Sequence, residues 1–381
     1  MKITLERTPE QIELVKAMAS KNRDVSYEAQ TALAEFIGPV LAEVVNTAPT
    51  VSNMFTSLQF NSDESPSIPL DLYHDITDED YIQVWSQSVP GGLPTNQVAP
   101  SQSELKFTTY TLDSALSFDK RYASRSRLDV VSKTFTRMAQ EVLLKQEKTS
   151  ASMIMTALAN ATTNTEQHVI RAAQAGRFLL SDLNKLFTKA KRINTSWNGG
   201  TPAERRGRGI TDLLVSPEIV EEIRGLAYNP VNTIGGAGGA PTAGDGIAGT
   251  DSMRDAVFNS AGIPEFYGVS IQEYNEMGVG QKWNTVFSTA AGGTTYADNY
   301  SVPANGSAAQ AILASEQVIV GADLSRESMI RAVATDSESG DEFSLVADDQ
   351  FVTRQSKIGY YGSLEEGRMI IDDRVLLGLI V

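Results

Sequence analysis

Asp78, Glu79 and Asp80 stand next to one another, and clustered carboxylates are what a hard divalent cation requires. The run lacks the glycine turn and the distal glutamate of a calcium loop, so it reads as a solvated acidic turn or a contact between subunits. The acidic run from Asp336 to Glu342 fails the same test. Nucleophilic and acid–base chemistry has few residues to use. The chain contains no cysteine, which excludes thiol nucleophiles, thiolate zinc sites, iron–sulfur clusters and disulfide scaffolds. Any triad or imidazole base must use His74 or His168, because there are only 2 histidines. His74 lies beside Asp75 in an alternating segment and His168 in a polar stretch read as helical. No G-x-S-x-G string accompanies either, and both read as ordinary surface or interface residues.

Phosphate chemistry fares no better. Gly244-Asp245-Gly246-Ile247-Ala248-Gly249 satisfies G-x-G-x-x-G, but it neither follows a strand nor opens a helix, so the context of a dinucleotide site is missing. No G-x-x-x-x-G-K-[ST] string occurs. Arg205, Arg206 and Arg208, in Arg-Arg-Gly-Arg, suit a phosphate or a carboxylate partner, and acidic tracts in the same chain supply carboxylates. The residues therefore call for no catalytic group, no cofactor and no metal.

The elements that must hold these residues are more informative. A length of 381 residues with 41% apolar and 21% charged residues fits one large or two ordinary domains with a real core. A sequence pI near 4.7 argues against a dedicated nucleic-acid binder. The first residues, MKITLERTPEQIELVK, carry no apolar run of a secretory signal, and no segment reaches the roughly 20 apolar residues of a membrane span. These features predict a soluble intracellular product. Net charge is segregated: −11 over residues 1–119, +11 over 120–210 and −15 over 211–381, which together give the −15 of the whole chain. A basic middle between two acidic portions is a nucleic-acid face, one of a pair of complementary patches that meet within or between subunits, or plain scattered solvated charge.

Glycine is segregated too, with 25 of the 29 in residues 191–381, and neither Gly nor Pro occurs from Ser101 to Ala175. Long regular elements can propagate there. Thr8-Pro9-Glu10-Gln11 predicts a helix start with Thr8 as N-cap and Gln11 closing a capping box. A second helical pattern runs from about Tyr27 to Val45, interrupted at Gly38-Pro39. Residues 73–103, with turns at Pro90-Gly91-Gly92, Pro94 and Pro100, sit between alternating segments and predict a long two-stranded excursion, which has too little core to stand alone. From about Arg127 to Ala159, Leu128, Val131, Phe135, Met138 and Val142 follow helical spacing, giving a helix about 50 Å long. Its other face carries Arg127, Lys133, Arg137, Lys145 and Lys148. Beyond Thr211 the pattern is α/β: a strand into Ser216, then a helix starting at Pro217 with Ser216 as its N-cap. A Gly/Ala loop tract occupies 235–249. Strands follow around Val318 to Val320, Met329 to Val333, Ile358 to Tyr361, Met369 to Ile371 and Val375 to Val381.

This order of elements resembles the tailed-bacteriophage major capsid proteins of the Hong Kong 97 type. Three strings carry the likeness: Thr211 to Gly225 (TDLLVSPEIVEEIRG), Phe266 to Gly280 (FYGVSIQEYNEMGVG) and Ile358 to Val381 (IGYYGSLEEGRMIIDDRVLLGLIV). The resemblance implies an α+β Hong Kong 97-like capsid fold, with an N-terminal arm (1–56), an extended hairpin loop (57–118), a peripheral domain with a spine helix (119–200), an axial domain (201–335) and closing strands (336–381). It implies a structural, non-enzymatic chain that self-assembles into hexamers and pentamers of an icosahedral head around double-stranded DNA. Partners would be further copies, a portal, and scaffolding or decoration proteins. Packaged DNA would be touched weakly, and no membrane is involved. The chain would end in the virion capsid after assembly in the host cytoplasm. Subunit-contact candidates are Asp78, Glu79, Asp80, Arg125, Arg127, Arg205, Arg206 and Arg208. An encapsulin-type compartment shares the implied fold. A carbohydrate-active enzyme with paired carboxylates is the alternative from another class.

Overall fold

The structure, a computed structural model, describes residues 8–48, 50–62, 64–69, 92, 104–163, 166–173, 176–193, 209–228, 265–266, 268–296, 312–325, 328–335, 342–348 and 356–381. In chain order they form α1 (Pro9–Met18), α2 (Arg23–Thr47), β1 (Thr56–Asn61), β2 (Ser67–Pro69), β3 (Glu104–Lys106), β4 (Thr109–Asp119), α3 (Lys120–Ser124) and α4 (Leu128–Asn160). Next come β5 (Thr162–Thr163), β6 (Glu166–Gln167), β7 (Val169–Arg171), α5 (Leu180–Ile193), β8 (Asp212–Val215), α6 (Pro217–Tyr228), β9 (Glu265–Phe266), β10 (Val269–Glu273) and α7 (Lys282–Ala291). The last strands are β11 (Val318–Ala322), β12 (Met329–Thr335), β13 (Ser344–Asp348), β14 (Lys357–Ile370) and β15 (Leu376–Ile380). Helices and strands are mixed without regular alternation, and the class is α+β. The chain divides into two compact units: Met1–Ile68, Glu104–Ser150 and Met329–Met369 form one, and Pro69–Ser103, Ala151–Ser328 and Ile370–Val381 the other.

The first unit is built on a five-stranded sheet in the order β1-β12-β14-β13, with β4 also paired to β14. β1 runs parallel to β12, from Thr56 opposite Ile330 to Asn61 opposite Thr335. β4 runs antiparallel to β14 from Thr109 opposite Gly367 to Asp119 opposite Lys357. Thus the chain leaves this sheet after β1 and re-enters it at β4, with the small β2–β3 pair between. Helix α1 starts as predicted, the Gln11 amide donating to Thr8 Oγ1 at 3.4 Å. The reciprocal half of the capping box is not made, since Gln11 Oε1 is buried without a hydrogen-bond partner.

Pro39 does not interrupt α2, contrary to the sequence expectation. Its missing N–H removes one helical bond, but Leu33, Ala34 and Ile37 before it and Leu41 and Val45 after it are buried in a single core. Packing of both halves outweighs the lost bond. The same core takes Leu128, Val131, Phe135, Met138 and Val142 of α4, the residues whose spacing predicted that helix. Tyr360 of β14 stacks edge-on with Phe135 at 5.3 Å between centroids. Each such buried side chain contributes roughly 1.5–3 kcal/mol relative to exposure. Gly362 admits this packing, because a Cβ there would lie 2.7 Å from Phe343 Cζ. The predicted strands at 358–361 and 369–371 are largely one continuous 14-residue strand, β14.

The second unit holds a mixed six-stranded sheet in the order β7-β15-β11-β8-β10-β9. β8 and β10 are parallel, whereas β11 is antiparallel to both β8 and β15. Leu183, Leu186 and Ala190 of α5 and Ile219 and Ile223 of α6 pack with Leu213, Val215, Ile319, Leu377 and Leu379. Ser216 caps α6 as expected, accepting from the Ile219 amide at 3.4 Å. Among the described residues no helix is long and apolar enough to cross a membrane.

Candidate functional site

Of the contact candidates, Arg125 and Arg127 lie within the described residues. Both are exposed where α3 turns into α4, on either side of Ser126, whose backbone is left-handed at φ 53°. The turn is fixed by the Arg127 amide donating to the Tyr122 carbonyl at 2.9 Å. Exposed Tyr122 adds an aromatic ring to the corner. Arg127 reaches Asp129 only at 3.9 Å, with both side chains largely in solvent, so this pair contributes little to stability. Asp78, Glu79, Asp80, Arg205, Arg206 and Arg208 lie outside the described residues, as do His74 and the glycine run 244–249. Of the acidic run 336–342 only Glu342 is described, and it accepts from Gln59 Nε2 at 2.8 Å.

The largest polar constellation of the first unit centres on Glu366, which is fully buried on β14. Its Oε1 accepts from the Tyr110 hydroxyl of β4 at 2.8 Å and from Arg368 at 2.5 Å. Its Oε2 accepts from Gln146 Nε2 of α4 and from Arg331 Nε of β12, both at 3.0 Å. Arg368 also donates to Ser52 Oγ at 2.8 Å, in the 3-10 turn that follows α2. Two guanidiniums thus share one carboxylate out of contact with water. Burial pushes Glu366 upward, but Arg368 and Arg331, with hydrogen bonds from Arg368 and Tyr110, outweigh it and hold the carboxyl below its ordinary range. Burial pushes the Tyr110 hydroxyl up to about 12, against the pull of Arg368.

This arrangement ties strands β4, β12 and β14, helix α4 and the turn after α2 together. It offers no reactive edge: every Glu366 lone pair is engaged, and among the described residues no second carboxylate is recorded beside it to share a proton. The sequence reading missed it. A signal was present, because Leu364, Glu366 and Arg368 occupy one face of a strand by their period of 2, and Leu364 marks that face as the buried one.

His168 is the clearest correction. It is fully buried between β6 and β7, neither helical nor on the surface. Nδ1 lies 3.1 Å from the carbonyl oxygens of both Asp373 and Leu376, so it must carry the proton and donate. The helical reading failed because Glu166 and Gln167 pair with Thr163 and Thr162 in a two-residue ladder too short to show a period. Burial holds the imidazole below its ordinary value, partly offset by the Asp373 carboxylate and the two carbonyls. Elsewhere in this unit Arg171 and Glu316 form a buried ion pair. Among the described residues no group of three or more His, Asp and Glu could hold a metal ion.

No known family profile matches the chain, and no curated protein does. Solved structures that it resembles include the capsid of an empty GTA particle, at 11% identity and TM-score 0.47, covering 87% of this chain and 89% of that one. The capsid of the cyanophage P-SCSP1u is 12% identical at TM-score 0.45, covering 86% of each chain. The holo-SrpI encapsulin complex from Synechococcus elongatus is 12% identical at TM-score 0.39, covering 73% of this chain and 75% of that one.

Proposed function

We propose that this chain is a shell-forming structural protein, the major capsid protein of a tailed-bacteriophage head, and that its work is self-association. The observation that carries the reading is the order of elements. Two N-terminal helices lead to an excursion that leaves one sheet after Asn61 and returns at Thr109, followed by a 33-residue helix and then an α/β unit. That is the order the sequence resemblance implies. The buried Glu366–Arg331–Arg368 cluster supports it as well, since it fastens strands and a helix to one another.

In this reading the acidic residues Asp78, Glu79 and Asp80 reach a neighbouring subunit, and the exposed Arg125 and Arg127, with Arg205, Arg206 and Arg208, present cations to such partners. Oppositely charged patches set register and reject wrong contacts, and heterologous contacts repeated by rotation close into rings and shells. The test is sedimentation of the chain from extracts of the cells that make it, followed by nuclease treatment of whatever sediments. Large particles holding nuclease-protected DNA are expected from infected cells. Particles filled with protein cargo instead would make the chain a compartment shell, and a chain that stays a single subunit would overturn self-association.

A further inference from the structure

Phe36 on α2 and Leu144 on α4 are the most exposed of the large apolar side chains among the described residues, at 56% each. Each lies on a charged helix face, acidic on α2 and mainly basic on α4. On α2, Val25, Phe36 and Val40 form an exposed apolar stripe spanning about 22 Å, because steps of 11 and 15 residues keep them within about 60° of one another around the helix. Exposed Glu28 and Glu35 flank that stripe, and the sequence holds no Lys or Arg at all between Arg23 and Lys106. On α4, Lys133, Arg137 and Lys148 are exposed within about 40° of Leu144, along a stretch that is again about 22 Å long, with one exposed acid, Glu141, about 60° to the side.

Both faces belong to the first unit, and in one chain neither covers the other, since Phe36 and Leu144 both stay more than half exposed. Equal length, opposite charge and an apolar centre on each make the faces complementary to one another. We infer that the exposed face of α2 in one copy docks on the exposed face of α4 in a second copy, with Phe36 and Leu144 meeting at the centre and Glu28 and Glu35 paired with the α4 cations. Apolar contact supplies the association and the flanking charges select the partner helix. The inference rests on the self-association proposed above and names two surfaces that carry it.

The cysteine-free chain makes a clean test possible. Differently tagged Phe36→Cys and Leu144→Cys chains are co-expressed, sedimented to record assembly, and treated with a short bis-maleimide cross-linker. Phe36→Cys with Val346→Cys, another exposed apolar position, serves as the control. The inference predicts at least a tenfold excess of the mixed Phe36→Cys/Leu144→Cys product over the control pair. Assembled particles without that excess, or with Phe36→Cys chains joined mainly to each other, would overturn the docking and leave the shell reading standing. Material that remains single subunits would remove the shell reading itself, and the docking with it.

Discussion

Tyr110 and Glu366 are directly opposite each other in the β4–β14 ladder, and the tyrosine hydroxyl donates to the buried carboxylate at 2.8 Å. The pair makes the register of the ladder unique. A slip of two residues would keep every apolar side chain on its face, but it would carry the Tyr110 hydroxyl away from Glu366 and from Arg368, which also donates to it at 2.5 Å. Since β4 is the strand on which the excursion returns, the pair also fixes where that excursion is rooted.

Removing parts of this network should cost unequal amounts. Tyr110→Phe deletes one hydroxyl and should lower stability by about 1–2 kcal/mol. Glu366→Gln keeps the shape but removes the negative charge that two buried guanidiniums share, which should cost about 3–5 kcal/mol. Urea midpoints of both variants check the order; equal losses would contradict the shared-carboxylate account.

The same carboxylate makes an acid-side prediction. Its folded value lies below the ordinary 4.5, so the stabilisation is present in full above pH 4.5 and is lost as the pH falls through the lower folded value. Wild-type stability should drop steeply in that range, and Glu366→Gln should show a shallower drop from a lower starting point. Urea titrations between pH 3 and 6 measure both slopes.

His168 predicts a separate pH dependence near neutrality. Its folded value is depressed below 6.5, so the unfolded chain takes up a proton first and stability declines as the pH falls below 6.5. Above 6.5 its contribution is constant. His168→Asn, which retains a donor near the Nδ1 position, should flatten this part of the profile. Thermal unfolding at pH 5.5 and 7.5 compares the two; an unchanged difference between the pH values would show that His168 is not its source.

Gly367 faces Thr109 where β4 begins, and a Cβ there would sit 2.8 Å from the Thr108 carbonyl oxygen. Gly367→Ala must push backbone rather than a side chain, and should cost about 1–3 kcal/mol. Hydrogen exchange should then be fastest at the Thr109 end of the ladder. Uniform protection along β4 would contradict the close approach.

Replacing both Arg205 and Arg206 with Glu should block assembly while leaving a folded subunit, with circular dichroism unchanged and particles absent from sedimentation. Normal particles from this variant would remove these residues from the list of subunit contacts.

Much of the local structure was legible in the sequence. Thr8-Pro9 and Ser216-Pro217 announced their helices, and the spacing from Leu128 to Val142 announced α4, because caps and helical periods are local signals. Pro39 misled, since whether a helix survives a proline depends on what both halves pack against. His168 and Glu366 were illegible as a lock and a knot for a related reason: the carbonyls that hold His168 lie 205 and 208 residues away, and Glu366 is met by Tyr110 and Gln146 from 256 and 220 residues away as well as by its nearer arginines. Period alone shows that a residue faces inward, never which distant donor meets it there.

The central claim, that the chain builds a shell by self-association, is tested most directly by negative-stain electron microscopy of the purified full-length protein. Closed particles of uniform diameter, or the rings and capsomers from which they form, are the predicted result. A field of single subunits at every protein concentration would contradict it.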